Sequence, residues 1–395
     1  MRFFATTAKN IEPLLLEELK VCGGQNLKGT HLGVHFQGEL EVAYRACLFS
    51  RLAHHVFLEL KTFEAKNREA LYQAVKGIAW KEHLKTEGTF CINVSGKHET
   101  LTHPHFIAQI AKDAIVDQFR DQTGKRPNVQ ADRPDVVLQL HVRDTQFVLY
   151  LDLSGDSLHK RGIRTEAGAA PLKETLAAAL LMRAGWDKCL QGDHTKPLLL
   201  CDPMCGAGTL LLEGAMMAYD VAAGLYRTYF GFLGWRGHKA EIWKTLIQEA
   251  KLRQQQALHK INIPLLGFDL HAGTLALAEA NFRKLGLIKN IHLEKRDAAM
   301  LSHPLLKNHE GLIITNPPYG KRLMAGQMPE LAALYARFGE ALKQEAEGFQ
   351  LAIFTQETEP LKALRLRPQK QYRLLNGPLE CTLMTFKLDP QSYWR

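Results

Sequence analysis

LLLCDPMCGAGTLLLEGAM, residues Leu198 to Met216, decides the fold. The unbroken apolar run Leu198–Cys201 reads as a strand buried on both faces, the habit of parallel sheets. Asp202 ends it, Gly206 and Gly208 follow in a short loop, and Thr209 to Ala218 continues as a helix. Glycines there let the backbone approach a ligand closely, and ligands of such sheets sit beyond the carboxyl ends of the strands. The loop is not the dinucleotide fingerprint G-x-G-x-x-G, because position 211 is Leu. With no Gly-Lys-Ser/Thr following, it is not a P-loop either.

Working outward toward the C-terminus, strands and helices alternate. Strands are predicted at Pro264–Phe268, Ile291–Leu293, Leu312–Thr315 and Gln350–Thr355, which implies a mostly parallel α/β sheet. Tyr372 to Leu388 reads as two strands around Asn376-Gly377, an antiparallel hairpin made less standard by Pro378. Tyr219 to Ile263, containing GLYRTYFGFLGW, reads as an insertion between the first two strands. On the N-terminal side a helix is predicted over Leu172–Gly185. It is preceded by GDSLHKRGIRTEAGAAP (Gly155–Pro171), a connector rich in glycine and charge.

Residues 1–155 have a different style. Ile11, Leu14, Leu15, Glu18 and Leu19 give a helix with Pro13 in its first turn, Gly29–Phe36 alternates like a strand, and Leu40–Leu52 is a second helix. Thr89–Val94 is a strand and His105–Phe119 a helix. Val136–Val142 and Gln146–Leu151 read as strands paired around Arg143-Asp144-Thr145. These patterns divide the chain into a small ferredoxin-like α+β subdomain (1–60), a second α+β module (61–155) and an α/β domain with its linker and leading helix (156–395).

Composition fits a multidomain globular chain. Its 395 residues suit two or three domains, and 46% are apolar. No apolar run is long enough to span a membrane, and the N-terminus reads as carrying no signal peptide. Seven scattered cysteines imply reduced thiols and a cytoplasmic location. Cys201 and Cys205 have no partner pair at zinc spacing, so they read as small residues beside the glycine loop, and no metal site is expected. Net charge is +9, compatible with a polyanionic partner. Residues 1–155 hold 19 Lys+Arg against 18 Asp+Glu, and residues 156–395 hold 31 against 23, so the excess lies with the α/β part.

The candidate chemistry follows the strand ends. Asp269, ending the second α/β strand, can accept the hydroxyls of a ribose. Asp297 in KRDA, after the third, can accept from an adenine amine. After the fourth strand comes TNPPYG, Thr315 to Gly320. An aromatic amine is a poor nucleophile because its lone pair is delocalised. Acceptors at the Asn316 side chain and the Pro317 carbonyl would localise it, Pro317 and Pro318 would fix their aim, and Tyr319 could stack on an extruded base. The implied reaction is methyl transfer to the exocyclic nitrogen of a base.

These motifs, DPMCGAGT, GFDLH, KRDA and NPPYG, resemble those of class I S-adenosylmethionine-dependent methyltransferases with a Rossmann-like domain. His159–Leu181 resembles the extra motif that precedes the sheet in amino-methyltransferases, and residues 61–155 resemble a THUMP RNA-binding domain. The insertion is similar to one in bacterial 23S ribosomal RNA guanine-N2 methyltransferases. Proteins of this kind often carry the label of N6-adenine-specific DNA methylase because NPPY is shared. The resemblance implies S-adenosyl-L-methionine as cofactor and large-subunit ribosomal RNA as structured substrate, with no obligatory protein partner. It implies that Asp202, Gly206, Gly208 and Thr209 cradle the methionine end, Asp269 the ribose and Asp297 the adenine. Glu174 and Thr175 would approach the cofactor, and Asn316, Pro317, Pro318 and Tyr319 would hold the target base. A second methyltransferase unit fused in some members is expected to be absent, since the chain ends at Arg395.

Alternatives are an adenine-N6 methyltransferase on DNA or RNA, a protein glutamine methyltransferase, and an RNA-binding factor without turnover. His159–Arg161 with Arg164, and Lys362–Arg373, are basic segments able to meet phosphates. The module at 61–155 shows no aromatic strip, so it is expected to read RNA shape and backbone.

Overall fold

The structure, a computed structural model, describes residues 1–164, 172–317 and 328–394. The chain separates into two compact units. One comprises Met1–Thr7, Glu12–Lys160 and Arg227–Glu249, the other Ala8–Ile11, Arg161–Tyr226 and Ala250–Arg395. No helix among the described residues is long and apolar enough to cross a membrane.

The first unit runs β1 (Arg2–Thr6), α1 (Glu12–Val21), β2 (Gln25–Thr30), β3 (Gly33–Gln37), α2 (Leu40–Phe49), β4 (His55–Glu64), α3 (Arg68–Lys76), β5 (Thr89–His98), α4 (Pro104–Thr123), β6 (Asn128–Val129), β7 (Val136–Asp144) and β8 (Gln146–Asp152). All eight strands form one sheet, ordered β2-β3-β1-β4-β8-β7-β5-β6. Position 60 therefore lies inside a strand: β4 pairs with β1 through Phe3↔Leu58 and with β8 through Phe57↔Asp152. Side chains alternate across a strand. Phe3, Ala5, Val34, Phe36, Leu138 and Leu140 are fully buried, while their alternates Phe4, His35 and Gln139 are half-exposed. One face of the sheet thus makes a core, and the other is partly exposed at Phe4, His35 and Gln139 while Phe57, Tyr150 and Asp152 on the same face are buried.

The aromatic, glycine-rich insertion is explained by packing within this unit. A Cβ on Gly231 would lie 2.4 Å from the Asp152 carbonyl oxygen, and one on Gly234 2.4 Å from that of Asp135. Both glycines are points where backbone rests on backbone. Phe232 packs its ring 4.4 Å from Tyr44 and 4.9 Å from Trp243. Arg227 donates to the carbonyls of Ser157, Lys160 and Asp156.

The second unit holds α5 (Glu174–Arg183), α6 (Trp186–Cys189), β9 (Leu198–Asp202) and α7 (Thr209–Ala218); the boundary between units falls inside α8 (Ala240–Lys260). Then follow β10 (Leu265–Asp269), α9 (Ala272–Leu285), β11 (Ile291–Lys295), α10 (Pro304–Asn308), β12 (Glu310–Thr315), α11 (Met328–Glu345), β13 (Gln350–Thr355), β14 (Pro368–Asn376) and β15 (Leu379–Lys387). The sheet order is β11-β10-β9-β12-β13-β15-β14, parallel from β11 through β13, with β15 antiparallel to β13 and β14. The hairpin forms as the sequence predicts, with Gly377 at φ +61°. Pro378 is tolerated because it sits in the two-residue turn between the paired Asn376 and Leu379, outside the strand ladder, where no backbone donor is required. The predicted Leu172–Gly185 helix is shorter, stopping at Arg183 before Gly185 turns left-handed at φ +89°.

α7 is buried on nearly every side, which explains TLLLEGAMMA. Gly214 lets it press onto β9, since a Cβ there would lie 2.2 Å from Leu200 Cδ2. Its one charge, Glu213, is fully buried and paired with the equally buried Arg161 at 3.1 Å. The other face of the sheet packs on α11, through Leu331, Tyr335, Phe338 and Leu342 against Ile313, Leu351 and Ile353.

Candidate functional site

Register brings the strand ends together. Gly267 pairs with Asp202, Ile313 with Cys201, and Asp269 with Lys295. Asp269 therefore closes β10, while Asn316 and Asp297 stand just past the carboxyl ends of β12 and β11, around the loop that leaves β9. The strand order reverses at β9, between β10 and β12, and such a switch point opens a crevice. A cavity of about 490 Å³ occupies it, lined in part by Asp202, Gly206, Thr209, Asp269, Asp297 and Asn316.

The glycine loop is fixed by hydrogen bonds. The Cys205 amide donates to the Phe268 carbonyl at 2.8 Å, and the Gly206 amide to Asp269 Oδ2 at 2.9 Å. Gly206 adopts φ +53° with nothing within 4 Å of a would-be Cβ, so its bare backbone faces open cavity. Gly208 does not line the cavity. It caps α7 at φ +76° and meets Ala278 of α9, where a Cβ would lie 3.1 Å away.

The three carboxylates differ. Asp202 is 2% exposed and accepts from the Met204 amide at 3.1 Å. Burial pushes its carboxyl up to about 7, helped by the charge of Asp269 and opposed by the Thr315 hydroxyl and the Met204 amide. No cation of the described chain answers it. Asp269 is heavily engaged: Oδ1 accepts from the His271 amide (2.8 Å) and the Thr274 hydroxyl (3.1 Å), and Oδ2 from Gly206. A carboxylate oxygen has two lone pairs, so only Oδ2 keeps room for a ligand donor. Asp297 caps its own turn through the Ala299 amide at 2.9 Å and reaches Arg337 at 3.5 Å.

Asn316 stands at the cavity with its Oδ1 buried and without a hydrogen-bond partner among the described residues. Pro317 is buried beside it. Pro318 and Tyr319 lie outside the described residues. Glu174 and Thr175 are buried but are not among the cavity-lining residues. Glu174 reaches the site through Arg164, which donates to it at 3.0 Å and to the Leu172 carbonyl at 3.2 Å. Burial raises the Glu174 carboxyl, with Arg164 opposing.

Arg296 and Thr274 also line the cavity, with no role assigned to them from the motifs, and Arg164, read from the sequence as a phosphate contact, lines it as well. The Thr274 signal was present, five residues after Asp269 in the first turn of the next helix. Arg296 points its guanidinium away, 4.8 Å over the Phe268 ring and onto the Ser302 carbonyl. No group of three or more metal-ligating side chains gathers among the described residues.

A seven-stranded sheet of this order, with a glycine loop after its central strand and carboxylates at successive strand ends, defines the class I methyltransferase fold. Comparison with known proteins agrees: residues 161–385 match the family described as RMKL-like, methyltransferase domain, and the chain belongs to that family. Residues 65–152 match the THUMP domain and residues 2–57 the RlmL ferredoxin-like domain. The chain is 44% identical over 393 residues to the ribosomal RNA large subunit methyltransferase K/L of Methylococcus capsulatus, covering 99% of this chain and 52% of that protein. With the protein of the same name from Syntrophotalea carbinolica it shares 42% over 396 residues, covering 100% and 54%. The chain thus spans about half the length of these relatives. The crystal structure of SMU.472 complexed with SAH superposes with a TM-score of 0.83 at 27% identity, covering 98% of this chain and 97% of that one.

Proposed function

We propose that this chain transfers a methyl group from S-adenosyl-L-methionine to the exocyclic N2 amine of a guanine in large-subunit ribosomal RNA, in the cytoplasm. The observation that carries the reading is the buried, unpartnered Asn316 Oδ1 beside the glycine loop. An unsatisfied buried acceptor costs about 1–3 kcal/mol and calls for a donor that arrives from outside. An exocyclic amine is such a donor. The donor set of the cavity also suits the cofactor. An uncompensated buried carboxylate at Asp202 invites an ammonium, Asp269 Oδ2 a ribose hydroxyl and Asp297 an amine, while the bare Gly206 backbone admits close contact.

When bound there, S-adenosyl-L-methionine supplies an electrophilic methyl group. The chain does the rest. Asn316 and the Pro317 carbonyl draw on the amine hydrogens, so that the nitrogen lone pair leaves the ring as it becomes nucleophilic. Tyr319 stacks on the base held out of its helix. The ribosomal substrate is favoured by the relatives' names and by the match to an RNA-binding domain. The test is to incubate the purified chain with methyl-labelled cofactor and ribosomal RNA from a strain lacking the gene, then digest to nucleosides. Label in N2-methylguanosine supports the reading. Label in N6-methyladenosine, or methylation of duplex DNA, would replace it.

A further inference from the structure

The partly exposed face of the first unit's sheet is not featureless. It forms the floor of a groove of about 1,070 Å³, walled by the Thr30–Leu32 turn on one side and by residues 131–134 with Tyr229 on the other. Residues directly opposite in a sheet share a face. Register therefore lines up His35, Phe4, Phe57 and Asp152 across β3, β1, β4 and β8. A second row runs from Tyr150 through Gln139 to Asn93 across β8, β7 and β5. The rings form a continuous strip: Phe4 lies 4.5 Å from His35 and 6.2 Å from Tyr150, and Phe57 lies 5.8 Å from Tyr150. Phe57 and Tyr150 are 8% and 6% exposed and support the strip from within, so Phe4 and His35 are its accessible rings. The strip absent from residues 61–155 is built mainly by residues 4–57.

We propose that this groove is a platform for an unpaired stretch of RNA, whose bases stack on Phe4 and His35, the two partly exposed rings of the strip, while Gln139 and Asn93 read their edges. This deepens the functional reading and rests on its RNA substrate. The chemistry of the groove selects the occupant. Flat rings next to side-chain amides suit bases, which offer a face for stacking and an edge of donors and acceptors. A protein partner would call for aliphatic side chains, and Leu32 and Val137 are the only branched ones lining the groove among the described residues. Asp152, the carboxylate in the floor, is already satisfied by His55 at 2.8 Å and the Ser154 amide at 2.8 Å, so it does not repel a polyanion from an unpaired position. Arg133 and Arg143 line the groove and supply cations for phosphates, against Asp132 and Asp156. Because residues 1–155 carry a net charge of only +1, stacking has to supply more of the affinity than phosphate contacts do.

The experiment is fluorescence anisotropy of the full chain with a fluorescein-labelled single-stranded oligoadenylate octamer, and with the same strand annealed into a duplex. The single strand should bind more tightly than the duplex. Two phosphate contacts give a log–log salt slope of only about −1.4. Phe4→Leu keeps an apolar side chain but removes the stacking face, and should weaken binding between about fivefold and a hundredfold, while Phe4→Trp restores it. If Phe4→Leu lowers the melting temperature, the double variant Asn93→Ala/Gln139→Ala decides in its place, with an expected loss of at least about fivefold. Wild-type binding by both variants, or equal affinity for duplex and single strand, overturns the proposal. Ribosomal RNA methylation by the same preparations separates the two readings. Methylation unaffected by variants that bind the octamer normally sinks the platform and leaves the activity standing. Groove-dependent octamer binding without methylation of ribosomal guanine sinks the activity and leaves the platform standing.

Discussion

Replacing Asp202 by Asn tests the electrostatics of the proposed cofactor cavity directly. Its carboxyl is 2% exposed and pushed up to about 7 by burial. If the ionised form is what receives the cofactor ammonium, apparent affinity scales with the ionised fraction. That fraction falls from about 90% at pH 8 to about 3% at pH 5.5, so the dissociation constant for S-adenosylhomocysteine should rise roughly 30-fold, or about 2 kcal/mol. Binding a cation stabilises the carboxylate, so calorimetry at pH 5.5 in buffers of different ionisation enthalpy should report close to one proton released. Asp202→Asn cannot titrate: its affinity should be weaker than wild type at pH 8 and flatter with pH. The same shift bears on stability. A folded-state value above the ordinary 3.8 means that the group's contribution is fully present below that pH and is lost as pH rises through about 7. The ionised form then costs on the order of 4 kcal/mol. The Asn variant should therefore unfold at higher temperature than wild type at pH 8 and at the same temperature near pH 4. Wild-type affinity that is constant from pH 5.5 to 8, with no proton released, would refute the reasoning.

Three further outcomes follow from the geometry. Asn316→Ala should lower single-turnover methylation by on the order of 10²-fold or more while leaving cofactor affinity within about threefold, since its acceptor acts on the amine as charge develops; near-normal turnover would remove it from the chemistry. Asp269→Ala removes the acceptor of the Gly206 amide, the His271 amide and the Thr274 hydroxyl, so it should cost at least about 1.5–3 kcal/mol of cofactor affinity and also lower the melting temperature. Glu213→Leu strips the carboxylate from the fully buried Arg161 and should destabilise by about 3–5 kcal/mol, whereas Arg161→Met/Glu213→Leu recovers most of that loss; a double variant no better than the single would mean that the pair is not the source of the cost.

Local pattern made the second unit legible. An apolar strand, a glycine turn and an apolar helix at Leu198–Ala218 are short-range signals, and their repetition toward Thr355 determines a parallel sheet with little freedom left. The acids at the strand ends were legible for the same reason, because a strand's last residue is set by its own sequence. How each acid is engaged was not legible. Asp269 binds a loop 63 residues earlier in the chain, and Asp202 is perturbed by burial that only the packed sheet creates. The Arg161–Glu213 pair joins residues 52 apart, and neither motif announces the other. In the first unit the pattern marks strands at residues 29–36, 89–94, 136–142 and 146–151, but neither β1 nor β4, and not the joining of residues 1–60 and 61–155 into one sheet, which β4 makes by pairing with β1 on one side and β8 on the other. The aromatic strip is the clearest case. Phe4, His35, Phe57 and Tyr150 are scattered over 146 positions and share no period. They become one surface only because register is fixed by which alternate residues the core buries, a choice made by the whole sheet.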